Sequence, residues 1–266
     1  MLREAAFAGS FYPLSKAEVE KQISKFFSTV RGVDALTPVV ISPHAGYVYS
    51  GQVAAYSFSA LKKFDTYIIL SPNHTGLGEM ISIYPSGEWE TPLGNVKVNG
   101  EIASAIAEKM GVEQDVIAHI QEHSIEVQLP FLQHHFGEVK IVPITLGTGD
   151  AEVLQELGEA IFEVCGSRVG VIASSDFSHQ LPLEKAEELD MLALEYIRAG
   201  DIEGFAHIVR EKMMSICGFP GIVAAMHYCR KVGLQQGKLL KYDTSASETG
   251  DEAAVVGYAA VGFLEK

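Results

Sequence analysis

Val39-Val40-Ile41-Ser42-Pro43-His44-Ala45-Gly46-Tyr47 decides how the rest of the chain reads. A short β-branched run suits a buried strand, because branched side chains pack well on a pleated surface. It passes at once into a polar loop carrying a histidine, and Gly51 to Lys62 then reads as a helix. The arrangement recurs. Tyr67-Ile68-Ile69-Leu70 leads into Ser71-Pro72-Asn73-His74-Thr75-Gly76, and Val169 to Ala173 leads into Ser174-Ser175-Asp176-Phe177-Ser178-His179. Val139 to Ile144 is a further apolar strand. Helical patterns fall at Gly100 to Met110, Ala151 to Val164 and Ser124 to His135, the last with Ile125, Leu129 and Leu132 spaced i, i+4, i+7. Pro130 predicts a kink within that last segment. Continuous apolar strands separated by helices specify an α/β fold, a mainly parallel central sheet with helices on both faces.

Working outward, Leu183 to Arg198, Ile202 to Lys212 and Gly221 to Val232 read as helices, and Leu239 to Thr244 and Ala253 to Phe263 as closing strands. Met80 to Val98 holds two short strands among turn residues, which predicts an antiparallel edge or excursion. The chain of 266 residues is 47% hydrophobic, enough for one large core. It has no linker-like stretch and no fixed-period repeat, so residues 1–266 read as a single domain.

The net charge of -14 opposes phosphate backbones, so neither nucleic acid nor an anionic membrane is expected as a partner. Three cysteines without a C-x-x-C pair do not make a disulfide framework and fit a reducing compartment. Met1 to Pro13 has no signal-like apolar run, and no stretch approaches the roughly 20 apolar residues a membrane helix needs. A cytoplasmic location is expected. A Gly-rich phosphate loop and a G-x-S-x-G elbow are both missing, which leaves nucleotide binding and serine hydrolysis without support.

Ligands of open α/β sheets bind beyond the carboxyl ends of the strands. Three such ends here carry His44, His74 and His179, which points to one shared pocket. Neutral imidazole is the commonest protein metal ligand, and two histidines plus one anion make a common open site. A carboxylate as the anion suits Fe(II), whereas a thiolate shifts the preference toward Zn or Cu. Both anions are at hand: Asp176 lies three residues before His179, and Cys217 occupies the turn Ser215-Ile216-Cys217-Gly218-Phe219-Pro220. Cys165 and Cys229 fall in apolar helix patterns and read as core. His119 and His123 have i, i+4 spacing but lack H-E-x-x-H, so they make a weak metal pair. His123 with Glu126 fits better as an outer wall of the pocket. His134, His135, His207 and His227 read as structural.

Seven segments in order resemble the Memo family, some microbial members of which are called AmmeMemoRadiSam system protein B. They are Ala8-Gly9-Ser10-Phe11-Tyr12, Pro43-His44-Ala45-Gly46-Tyr47, Ser71-Pro72-Asn73-His74, Glu122-His123-Ser124-Ile125-Glu126 with Leu129-Pro130, Ser174-Ser175-Asp176-Phe177 with His179, Ile216-Cys217-Gly218, and Gly257-Tyr258-Ala259-Ala260. The resemblance implies a single Memo-like domain, similar in fold to class III extradiol dioxygenases of the LigB superfamily. Those enzymes hold Fe(II) on two histidines and a glutamate, with a further histidine as acid and base. By position, the resemblance makes His44 and His74 the metal ligands and His179 the acid/base residue. Cys217 takes the place of the glutamate, which departs from the dioxygenase pattern. Iron or copper is the implied metal, with zinc ranked below them.

The functional expectation is a metal-dependent oxidoreductase acting on a small, phenolic molecule. His179 and Asp176 would work at the substrate, and His123 would line the site. The family name also implies a link to a radical-SAM protein. The alternative is a non-catalytic binding or scaffold protein that retains the pocket. Cys217 discriminates between them, since a binding module has no particular need of a thiol facing two histidines.

Overall fold

A computed structural model describes residues 1–264. The chain runs β1 (Leu2–Arg3), α1 (Lys16–Thr29), β2 (Val39–Ser42), α2 (Tyr47–Ala60), β3 (Thr66–Pro72), β4 (Ile81–Ile83), β5 (Glu88–Trp89), β6 (Val96–Val98) and α3 (Gly100–Met110). It continues through α4 (His123–Glu126), α5 (Leu129–Phe136), β7 (Lys140–Leu146), α6 (Ala151–Cys165), β8 (Gly170–Ser174) and β9 (His179–Leu181). The last part holds α7 (Leu183–Ala199), α8 (Ile202–Glu211), α9 (Phe219–Val232), β10 (Gln236–Thr244), α10 (Ala246–Thr249) and β11 (Val255–Leu264).

One sheet organises the molecule, in the order β1-β5-β6-β7-β3-β8-β2-β11-β10. Its centre, β6-β7-β3-β8-β2, is parallel throughout, while β11 and β10 close one side antiparallel. Side chains alternate across a strand, so each central strand feeds two cores. Ile41, Ile68, Leu70, Val142, Ile144, Val171 and Ala173 face one core, with α3, α6, α7, α8 and α9. Val40, Tyr67, Ile69, Ile141 and Ile172 face the other, with α1, α2 and α5. Burial on both faces is why these strands read as unbroken apolar runs. Among the described residues no helix is long and apolar enough to cross a membrane.

Several local expectations are corrected. The segment Ser124 to His135 is two helices, α4 and α5, and Pro130 begins the second instead of kinking a continuous one. Proline suits a first helical turn, where its missing N–H has no partner to lose. α1 was not among the expected elements. It fully buries only Val19 and Ile23, with Phe26 and Phe27 half-buried against the same core, and Ser15 caps it by accepting from the Glu18 N–H. Met80 to Val98 is the expected excursion, with three strands instead of two. β4 runs antiparallel to β7, and β5 antiparallel to β6. β9 was not foreseen. It pairs His179 with Val256, and Gln180 takes a left-handed φ of 58° inside it.

The seat of α9 matters for function because the helix begins two residues after Cys217. α9 packs closely on α6 through Gly158, where a Cβ would lie 2.5 Å from the Ala224 oxygen and 2.7 Å from the His227 Cβ. Gly158→Ala is expected to push the two helices apart and destabilise the protein by roughly 1–3 kcal/mol, the usual penalty for overpacking. A urea midpoint equal to that of the parent would show that the contact is slack.

Candidate metal centre

β3 and β2 flank β8 in the sheet. The loops leaving β2 and β3 therefore rise on either side of the β8 terminus, where neighbouring connections diverge and leave a crevice. His44 comes from the β2 loop, His74 from the β3 loop, and Cys217 from the turn before α9. One ligand atom from each lies within 4.8 Å of the others. Cys217 Sγ is 3.2 Å from His44 Nε2, and the two imidazoles meet nearly edge to face, 5.2 Å between centroids at 82°. His44 is buried, Cys217 half-buried and His74 open to solvent, so the group reaches from the interior to the surface.

Each ligand atom is aimed by a partner behind it. The backbone N–H of His74 donates to Glu122 Oε2 at 2.7 Å, and its ring Nδ1 lies 2.9 Å from Glu122 Oε1. Ser124 adds its N–H at 3.0 Å and its hydroxyl at 2.7 Å to the same carboxylate oxygen. Burial alone would raise the Glu122 pKa, but the donors from His74 and Ser124, with the charge of His74, bring it down to about 2. An ionised carboxylate only accepts. In its neutral form His74 therefore carries its proton on Nδ1 and leaves Nε2 bare. Carboxylates backing metal-bound imidazoles commonly set the ring this way.

His44 is held by its backbone N–H, which donates to Asp176 Oδ1 at 2.8 Å, and by its ring Nδ1, 2.8 Å from Ser174 Oγ. Cys217 Sγ accepts from the Asp176 N–H at 3.3 Å. The adjacent Gly218 N–H donates to Ser175 Oγ at 3.0 Å. A Cβ at Gly218 would stand 2.3 Å from the Ser174 oxygen, so glycine is what lets the Cys217 turn close on the end of β8. Burial, then the nearby Asp176 charge, push the Cys217 thiol up. A divalent cation at the shared point would reverse that by favouring the thiolate.

His123 forms the wall expected of it. Its ring stacks on His74 at 4.7 Å and 21°, and meets His44 at 5.3 Å and 82°. Phe7 and Phe11 cover its outer side at 5.5 and 4.6 Å. Burial lowers the His123 pKa to about 4. His179 stands outside the group of ligand atoms. Its ring Nδ1 is 2.8 Å from the Ser215 carbonyl, and its N–H donates to Ser215 Oγ at 2.8 Å. A carbonyl cannot donate, so Nδ1 holds the proton and Nε2 is free.

Two expectations change. Asp176 makes no hydrogen bond to His179. It turns beneath the β2 loop to His44, while Phe177 N–H and Ser178 O pair with Gly257 and carry His179 onward to β9. The orienting group of His179 is Ser215. Burial raises Asp176 to about 6. Glu126 does not line the pocket. It accepts from Arg3 Nη1, Ala6 N, Phe7 N and the Tyr12 hydroxyl, and so fastens the amino-terminal segment that carries Phe7 and Phe11. The carboxylate serving the pocket is Glu122, four positions earlier. Its only signal in the sequence is adjacency to His123, and a helical reading favours Glu126. His119 points into the core, with Nε2 near the Ser82 oxygen and Nδ1 near Thr145 Oγ1, both at 3.2 Å.

These burials have a pH consequence. His44, His119 and His123 all have pKa values depressed chiefly by burial, the last two to about 4 against an ordinary 6.5. Between those values the unfolded chain takes up protons that the folded protein refuses, so stability present above pH 6.5 is lost as pH falls. Asp176, raised by burial to about 6 from an ordinary 3.8, takes up its proton in the folded state and offsets part of that loss, while Glu122 extends it, because its contribution is present above 4.5 and disappears toward about 2. The urea midpoint is expected to fall continuously from pH 6.5 to 4, and a flat profile over that window would contradict the assignment of neutral buried imidazoles.

Comparison with known proteins agrees with this architecture. Residues 3–262 match the family model described as Memo-like protein. The MEMO1 family protein of Methanopyrus kandleri is 41% identical over 280 residues, covering 99% of each chain. That of Desulfurococcus amylolyticus is 42% identical over 279 residues, covering 98% of each. The crystal structure of an uncharacterized protein from Escherichia coli K12 shares the fold at a TM-score of 0.54 and 9% identity, over 84% of this chain and 98% of that one. On the end-to-end family match and relatives above 40% identity, the chain belongs to the Memo family.

Proposed function

We propose that this chain holds one soft divalent metal, iron or copper, on His44 Nε2, His74 Nε2 and Cys217 Sγ, and uses it in redox chemistry on a small molecule. The observation that carries the reading is the convergence of these three donors within 4.8 Å. Two imidazoles and a thiolate are a soft, mixed donor set, suited to iron or copper in preference to magnesium or calcium. An ion bound there would supply electron transfer and open coordination positions for substrate.

The chain's own residues would do the rest. Glu122 and Cys217 contribute two negative charges to offset a divalent ion. His179, anchored through Nδ1, keeps Nε2 free to move a proton at the substrate. Asp176 fixes the His44 loop and adds negative charge beneath it. His123 stays neutral at ordinary pH and packs against Phe7 and Phe11, so the site would offer an aromatic side to a planar substrate such as a phenol.

Protein purified without oxygen or chelator is expected to carry stoichiometric iron or copper by elemental analysis. His44→Ala, His74→Ala and Cys217→Ser should lose it, whereas His179→Ala should keep the metal and lose turnover. Metal loss from His179→Ala with an intact fold, or tight magnesium binding indifferent to Cys217→Ser, would refute this division of roles.

A further inference from the structure

The two ligand histidines are backed differently. Behind His74 stands a carboxylate, whose acceptor role is unambiguous. Behind His44 stands a hydroxyl, Ser174 Oγ, which is able either to give or to receive a proton. Its neighbours remove that freedom. Ser174 Oγ has three partners: the Ser124 carbonyl at 2.8 Å, Gln128 Nε2 at 2.9 Å and His44 Nδ1 at 2.8 Å. The Ser124 carbonyl cannot donate, so it takes the single hydroxyl proton. Gln128 Nε2 cannot accept, so it occupies one lone pair. The orientation of the Gln128 amide is itself fixed, because Nε2 also donates to the Pro43 carbonyl at 3.0 Å, where an amide oxygen would be repelled. His44 Nδ1 is left as a donor into the remaining lone pair.

We propose that Ser174, its hydroxyl proton held by the Ser124 carbonyl, is a positioning residue that locks His44 into its Nδ1–H tautomer, so that the bare Nε2 faces Cys217 and the metal. The proposal rests on the metal reading above for its purpose, but not for its geometry. All three side chains are at most 2% exposed, so water does not compete for these bonds. The lock also joins the two ligands. Ser124 gives its N–H and hydroxyl to Glu122 behind His74, and its carbonyl receives Ser174 behind His44. The stretch Glu122 to Ser124 thus sets the tautomer of both imidazoles.

The two substitutions separate these partners. Ser174→Ala removes the acceptor for Nδ1–H. Gln128→Met preserves bulk and frees one hydroxyl lone pair, but the Ser124 carbonyl still takes the hydroxyl proton, so His44 remains the Nδ1–H donor. Long-range proton–nitrogen NMR on chelator-stripped, ¹⁵N-labelled protein reads each imidazole tautomer directly. Wild type and Gln128→Met should show His44 as Nδ1–H, with Nε2–H appearing in Ser174→Ala. Titration with Co²⁺ alone, followed by thiolate charge-transfer absorption, should show the affinity of Ser174→Ala reduced about 10–100-fold, the usual effect of removing a partner behind a metal-bound histidine. Ser174→Thr, which restores a hydroxyl, should recover both readouts. An Nε2–H His44 in folded wild type or in Gln128→Met, or Ser174→Ala folded with tautomer and affinity unchanged, would overturn the proposal. Should Co²⁺ fail to bind wild type, the metal reading falls while the NMR comparison still decides the tautomer lock.

Discussion

An ionised carboxylate with no solvent contact is the constraint on which the site depends. Withdrawing Glu122 from water would cost several kcal/mol if nothing replaced its hydration. Four donors from His74 and Ser124 replace it. Satisfying that charge ties the β3 loop to the start of α4 and dictates which nitrogen of His74 is bare. Arg3 reinforces the same stretch from behind. It donates to the carbonyls of His119 and Glu122 and to the Glu126 carboxylate, while its guanidinium lies 4.2 Å over the Trp89 ring. The amino-terminal segment is thereby held against His123, and the aromatic side of the site follows from an ion pair behind it.

The parallel sheet supplies the other half of the arrangement. Strand register at the β2, β8 and β3 termini places Ser42 opposite Ser174 and brings Leu70 level with Ala173, so three polar loops leave from neighbouring points. Rigid strands below and a glycine-permitted turn at Gly218 above bring a thiol from a distant part of the chain to two imidazoles. Precise placement on this scaffold asks little of the loops themselves, because each is pinned by hydrogen bonds to the next.

Much of this was legible in the residues. Apolar runs marked the strands, and polar loops at their ends marked His44 and His74, which the fold brings together. Cys217 stood out from Cys165 and Cys229 because it lay in a Gly- and Pro-containing turn instead of an apolar helix. The partners of those residues were not legible. Asp176 lies three positions from His179 yet serves His44, 132 positions away. Glu126 shares the helical spacing expected of a pocket wall, yet it faces Arg3 and Tyr12, and Glu122 takes the pocket role. Ser174, Gln128 and Ser215, polar residues of unremarkable type, carried no signal of what they orient.

The division has a physical cause. Hydrophobic burial is non-directional and periodic, so it leaves an imprint in the order of residue types, and that imprint was enough to determine the α/β class, the paired cores and the strand ends that carry the histidine loops. Hydrogen bonds are short and directional, and which oxygen meets which nitrogen depends on how elements far apart in the chain are stacked. Tertiary structure alone therefore decided that Glu122 backs His74 at a separation of 48 residues, that Ser174 backs His44 at 130, and that His179 answers to Ser215.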